Sequence, residues 1–152
     1  MNKPLPPTYL LLALVAIGTL HLLLPGPRLI ESSWRYLGAL PIGLGVWLNL
    51  WADGLFKKRG TEIRPFRDST SLVTDGPFRV TRHPMYLGMV LIVLGVALVA
   101  GSTSPFVVPL AVWWLLTVHF VIPEETAMRR QFGAQYEQYA RQVRRWFGRR
   151  AG

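Results

Sequence analysis

The sequence predicts an all-α integral membrane protein, with about four transmembrane helices followed by C-terminal interfacial helices. Three observations carry that expectation. Of the 152 residues, 51% are hydrophobic and only 16% charged, a balance suited to a chain embedded largely in lipid. The apolar residues gather into four runs, each about as long as a helix needs to cross a bilayer. Finally, basic residues alternate with these runs. Of the 17 Lys and Arg, only Arg28 and Arg35 lie between the first run and the second. The others stand at the N-terminus, between runs two and three, or after run four. The positive-inside rule leaves this pattern in a four-span chain with both termini in the cytoplasm. The inner or plasma membrane of a bacterium is the expected setting, and the length fits one domain over residues 1–152.

The same placement explains the net charge of +9 as topology and attraction to anionic headgroups. No zinc-finger or RNP-like motif accompanies it, so membrane lipids are the expected partners and nucleic acid is not. The chain has no cysteine, which excludes disulfides, thiolate metal sites and cysteine nucleophiles.

Run one extends from Thr8 to Leu24 and is stopped by Pro25-Gly26-Pro27. Pro4, Pro6 and Pro7, a single basic residue at Lys3 and the lack of a small-x-small site favour a retained helix over a cleaved signal peptide. Run two covers about Trp34 to Phe56, with Gly38, Gly43 and Gly45 allowing close helix contact in lipid. Asn49 and Asp53 share one face near its end. They point either into the bundle or, for Asp53, toward Lys57 at the interface. Lys57 to Val80 is the longest polar segment, an expected loop or short interfacial helix, and Asp75-Gly76-Pro77 is a turn signal. Run three starts at Pro84, a residue suited to a first helical turn, and continues to about Ala100. Gly101-Ser102-Thr103-Ser104 makes an uncharged turn into run four, Pro105 to Ile122. After Pro123 the chain becomes amphipathic, with Gly133 dividing two short helices and Trp146 and Phe147 giving an interfacial character.

Runs three and four form a hairpin whose open ends carry two polar knots, Arg82-His83-Pro84-Met85-Tyr86-Leu87-Gly88 and Glu124-Glu125. His83 and Tyr86 are three apart and share a helix face. With Arg79 and Arg82 they offer donors for a carboxylate or phosphate and an aromatic surface for stacking. Adjacent glutamates on a helix point about 100° apart. One is therefore free for a ligand while the other pairs with Arg82 or Arg129, unless both merely stabilise the start of the next helix. A metal would have to be held by His83, Glu124 and Glu125, and none is expected. His21 and His119 are expected to be packed or interfacial.

These motifs resemble the isoprenylcysteine carboxyl methyltransferase family, whose superfamily includes the phospholipid N-methyltransferases. The resemblance rests on Gly60-Thr61, on Leu72 through Arg79, on Arg82 through Gly88, and on Glu124-Glu125, Phe132-Gly133, Tyr136 and Tyr139 at their spacing. It covers about residues 45 to 147. It implies a membrane methyltransferase using S-adenosylmethionine to methylate a lipid or other hydrophobic small-molecule acceptor at the cytoplasmic face. In it His83, Tyr86, Glu124, Glu125, Tyr136 and Tyr139 would contact the cofactor and Gly88 would leave room for it. Arg82 would orient an acidic substrate group or support the catalytic geometry, and where the nucleophile is an amine or hydroxyl, Glu125 or His83 would serve as base. The C-terminal stretch departs from the family, with Gln142 where a basic residue is usual and Arg144 in place of a proline. Arg141, Arg144 and Arg145 are candidates to compensate, and the resemblance does not extend to naming prenylcysteine as the acceptor. Two other readings are an NADPH-dependent membrane reductase, using the Arg-rich loop for phosphates, and a membrane scaffold without activity.

Overall fold

The computed structural model describes residues 5–31, 33–58 and 72–149, and every regular element in them is helical. Helix α1 is Pro6–Leu23, with prolines in a first turn that needs no amide hydrogen there. A 3₁₀ turn, Arg35–Gly38, leads into α2, Ala39–Lys58. Helix α3 is Pro84–Ala100, closed by Gly101 in the left-handed conformation at φ 74°, a cap that glycine adopts without a Cβ penalty. Helix α4, Val107–Leu116, continues through a π turn, Thr117–Val121, into α5, Ile122–Phe132. Gly133, at φ 50°, then separates α5 from α6, Ala134–Gln142, as its sequence position predicts. The Gly60-Thr61 element of the resemblance and most of the polar segment before Leu72 lie outside the described residues.

The expected end of run four at Pro123 is corrected. Proline lacks the amide that an α-helix would bond to the carbonyl four residues back, and its ring crowds that carbonyl. Here the preceding residues widen into the π turn, with the Ile122 amide bonded to the Thr117 carbonyl. This single-turn widening carries the axis past the proline. The helical stretch from Ser104 to Phe132 is therefore continuous, and Glu124 and Glu125 stand within it, not after it.

Among the described residues, three helices are long and apolar enough to cross a membrane: Pro6–Leu23, Arg35–Lys58 and Ser104–Phe132. The apolar α3 is shorter, at 17 residues. Large apolar side chains such as Leu11, Leu12, Leu40, Leu50, Leu110 and Trp114 point outward, a surface that water would penalise and lipid would not. Inside, Ala13 and Ile17 of α1 meet Met89, Val93 and Ala97 of α3 and Val108, Val112 and Leu116 of α4.

Helices α2 and α3 approach backbone to backbone. A Cβ on Gly45 would lie 2.4 Å from the Gly88 carbonyl, and one on Gly38 would lie 2.5 Å from the Gly95 carbonyl. The two pairs are seven residues apart along each segment of chain, with Gly38 closing the 3₁₀ turn that leads into α2. They run antiparallel, so the contact holds along about two helical turns. Such glycine contacts associate helices where lipid removes the hydrophobic drive between them. The loop after α1 and the loop after α3 meet at one end, where the Thr103 amide bonds the Pro27 carbonyl at 3.1 Å and Leu29 bonds Gly101 at 3.0 Å. His21 Nδ1 and Ser102 Oγ are 2.8 Å apart there, so His21 is packed as expected. His119 is packed too, with its ring beside Tyr9. The opposite end collects the start of α3, the helix α5, α6 and the chain after it.

Candidate active site

At that opposite end the Pro77 carbonyl accepts the amides of Val80 and Thr81, both at 3.1 Å. This turn places Arg82 and His83 just ahead of Pro84, which opens α3. Thr81, 2% exposed, holds the join. Its Oγ1 accepts the His83 amide at 3.2 Å and donates to the Arg145 carbonyl at 3.2 Å. The Arg82 amide bonds the Arg144 carbonyl, and the Gly148 amide bonds the Val80 carbonyl. A bridge between Val143 and Arg149 folds the segment after α6 back on itself. The segment is thereby laced to the approach of α3.

Glu125 is the centre of the knot, with only 1% of its surface exposed. Arg82 Nη2 lies 2.9 Å from its Oε1 and His83 Nε2 lies 3.3 Å away. Arg145 grips both oxygens, with Nε 2.9 Å from Oε1 and Nη2 2.8 Å from Oε2. A bare carboxylate so far from water would be costly, and several charge-assisted bonds offset that cost. The hydrogen bond to Glu125 in turn raises the pKa of the Arg145 guanidinium, keeping it fully charged. Glu124, one residue earlier and pointing elsewhere, accepts the Tyr86 hydroxyl at 3.0 Å. The Tyr86 ring stacks beside His83 with centroids 5.8 Å apart.

The structure therefore brings together Arg82, His83, Tyr86, Glu124 and Glu125. It places the other expected site residues differently. Tyr136 and Tyr139 are buried in an apolar cluster with Ala52, Val73, Phe78 and Val143. Burial, followed by the charge of Glu125, pushes the Tyr136 hydroxyl up to about 12. Tyr139 gives its hydroxyl to the Phe78 carbonyl at 2.7 Å, so it clamps α6 onto the turn before α3 and has no proton to offer a ligand. Gly88 also needs correction. A Cβ there would lie 2.2 Å from Asn49 Nδ2 and 2.7 Å from the Gly45 carbonyl. The space it leaves is filled by α2. Asn49 accordingly points into the bundle, donating to Gly45 at 2.8 Å, while Asp53 pairs with Lys57 at 2.6 Å.

Two participants were not singled out from the sequence as site residues. Thr81 carries a faint signal, a hydroxyl three residues before the helix start at Pro84 and two before the His83 amide, the latter being the spacing of a local side-chain turn. Arg145 was one of three tail arginines of equal standing, and only the fold-back after α6 selects it. Beside the knot lies a cleft of about 320 Å³ lined by Arg82, Arg129, Glu137, Ala140, Arg141 and Arg145. Among the described residues, no three His, Asp or Glu side chains are grouped as metal ligands.

Comparison with known proteins agrees with the motifs. Residues 34–135 match the family model described as phospholipid methyltransferase. A rice protein (Oryza sativa subsp. indica) named probable protein-S-isoprenylcysteine O-methyltransferase is 31% identical over 78 residues, covering 51% of this chain and 41% of its own. The Schizosaccharomyces pombe protein-S-isoprenylcysteine O-methyltransferase is 33% identical over 72 residues, 47% of this chain and 30% of its own. The chain thus matches less than half the length of these relatives, and no solved structure matches it. The family match spans the end of the bundle where Arg82, His83, Tyr86, Glu124 and Glu125 meet, and the chain belongs to the phospholipid methyltransferase family.

Proposed function

We propose that this protein is an integral membrane methyltransferase that moves a methyl group from S-adenosylmethionine to a hydrophobic acceptor at the cytoplasmic membrane face. One observation carries the reading. Residues far apart in the chain converge on a buried carboxylate at one end of an apolar bundle, beside a polar cleft. In the proposed topology α3 is a fourth crossing, because it runs antiparallel along α2, and both termini lie on the side of the knot.

The donor set fits the cofactor. Its amino-acid end carries a carboxylate, which suits the guanidiniums of the cleft, and an ammonium, which suits the carboxylate of Glu124. Arg82 Nε is buried without a hydrogen-bond partner among the described residues, and such a donor calls for an acceptor. When bound, the cofactor supplies an electrophilic methyl on a sulfonium. The chain's own residues would position and shield. Tyr86 would fix Glu124 through its hydroxyl, and the ion pairs of Glu125 would hold the segment after α6 against the site, excluding water. Glu125 itself already accepts from Arg82, His83 and Arg145, so it acts as the strut of the site and the role of base is withdrawn from it. A carboxylate or thiolate acceptor needs no base. For an amine or hydroxyl, His83 is the candidate.

Calorimetry on detergent-purified protein should show binding of S-adenosylmethionine or its demethylated product. Tyr86→Phe should weaken it several-fold, since one hydrogen bond is worth about 1 kcal/mol. Absence of heat with either ligand, alongside clear NADPH binding, would transfer the chain to the reductase reading. A radiolabelled methyl-transfer assay on a total lipid extract then identifies the acceptor.

A further inference from the structure

We infer that the hairpin after α6, residues 143–149, is a docking surface for an anionic bilayer, with Phe147 entering the lipid and Arg144 and Arg149 meeting its headgroups. The surface rests on exposure, charge and placement. Its consequence for cofactor binding rests on the methyltransferase reading, because the same hairpin delivers Arg145 to Glu125.

The hairpin is short and closed by backbone bonds. Val143 bridges Arg149, the Arg144 amide bonds the Gly148 carbonyl at 2.9 Å, and Gly148 turns the chain at φ 97°, a conformation that favours glycine. The tip holds Phe147 outward, 71% exposed, while the preceding Trp146 packs against the core. Its neighbours are apolar and exposed as well. Val80 accepts the Gly148 amide at 2.8 Å, and Trp113 lies beside Trp146 with ring centroids 6.1 Å apart. Both side chains are open to the surroundings. Neighbouring exposed apolar groups of this size mark an interaction surface.

Placement and charge name the occupant. Trp113 belongs to the Ser104–Phe132 stretch, which is long and apolar enough to cross a membrane. The hairpin therefore reaches the lipid-facing wall of the bundle. Arg144 and Arg149 flank Phe147 and are exposed, and neither makes an ion pair among the described residues. From Arg141 onward the chain has five arginines and no Asp or Glu. An aromatic tip between arginines without counter-charges suits acyl chains beneath anionic headgroups. In the proposed topology this end faces the cytoplasm, where the leaflet is the negative one. A second copy of the chain would bring the same arginines against each other, and like charges oppose that contact. Docking on lipid instead secures the hairpin, and with it Arg145, itself 38% exposed, on the buried carboxylate of Glu125.

The test uses full-length protein in lipid discs of phosphatidylcholine, with and without phosphatidylglycerol, read by amide hydrogen exchange over residues 143–149. Exchange should be about tenfold or more slower in the anionic discs, a size that two arginines near a charged surface supply. Phe147→Ser should speed exchange in both kinds of disc. The double variant Arg144→Gln/Arg149→Gln should erase the difference between them, and Arg144→Lys/Arg149→Lys should keep it. Arg28→Gln, exposed at the opposite end of the bundle, should leave it intact. Equal exchange of the parent protein in the two discs overturns the inference, as does a loss in Arg28→Gln as large as that of the tail variant. Protection that follows the number of copies per disc and not the lipid charge overturns it too, and assigns the surface to a second copy. S-adenosylmethionine binding is measured in the same discs, and the methyltransferase reading adds that it tightens in the anionic ones. Equal binding with the exchange difference intact overturns that consequence. If the cofactor binds while exchange shows no difference, the docking surface alone falls. If it fails to bind while the difference stands, the methyltransferase reading falls.

Discussion

The two ends of the helical bundle are built differently. At one end, the loops after α1 and α3 are joined by neutral bonds, between backbone groups and between His21 and Ser102. At the other, Arg82, His83 and Arg145 surround one buried carboxylate. The neutral end needs only to satisfy backbone groups and turn the chain. The charged end carries a desolvation cost that simple turning does not require. That contrast is what the proposed site rests on: a buried charge cluster is expensive to build and marks the end of the bundle where fixed charge would serve chemistry.

Breaking each region in turn sharpens the comparison. The largest effect is expected from Glu125→Ala, which leaves Arg82 and Arg145 facing each other without their shared anion. Removing one partner of a buried pair costs about 3–5 kcal/mol, so the melting temperature in detergent should fall steeply and methyl transfer should be lost. A variant as stable as the parent would mean that the knot is hydrated and the contrast between the ends is false. Gly88→Ala comes next. Its Cβ would press on Asn49 and on the α2 backbone, and overpacking costs about 1–3 kcal/mol. Thermal unfolding should show the loss, and an unchanged melting temperature would sever α2 from α3. The smallest effect belongs to the neutral end. Ser102→Ala removes one hydrogen bond to His21, worth about 0.5–1.5 kcal/mol, and should leave cofactor binding untouched. A strong loss of binding there would join the two ends into one functional unit.

Much of the helical layout is legible in the chain. Pro25-Gly26-Pro27, Pro84, Gly101 and Gly133 mark boundaries because each restricts or frees the backbone locally, with no help from distant residues. The meeting of Arg82 and His83 with Glu125 is also foreseeable, since a hairpin of two similar helices brings its open ends level. Other features were not legible. The passage through Pro123 depends on a π turn five residues long, which no local residue type announces. Gly88 reads as room for a ligand until α2 is placed against it. Tyr139 reads as a ligand contact until its hydroxyl meets the Phe78 carbonyl. Arg145 differs from Arg144 only in which way the folded-back segment turns it.

By itself the sequence determined the helices, most of their boundaries and the residue types gathered at one end of the bundle, because backbone restriction and hydropathy act over a few neighbouring residues. Only the tertiary structure decided which arginine grips Glu125, which glutamate keeps an oxygen free beside Tyr86, and which glycine serves packing. Those outcomes depend on side-chain direction across 20 to 60 residues of chain, where a rotation of one helix or one turn of backbone changes the partner.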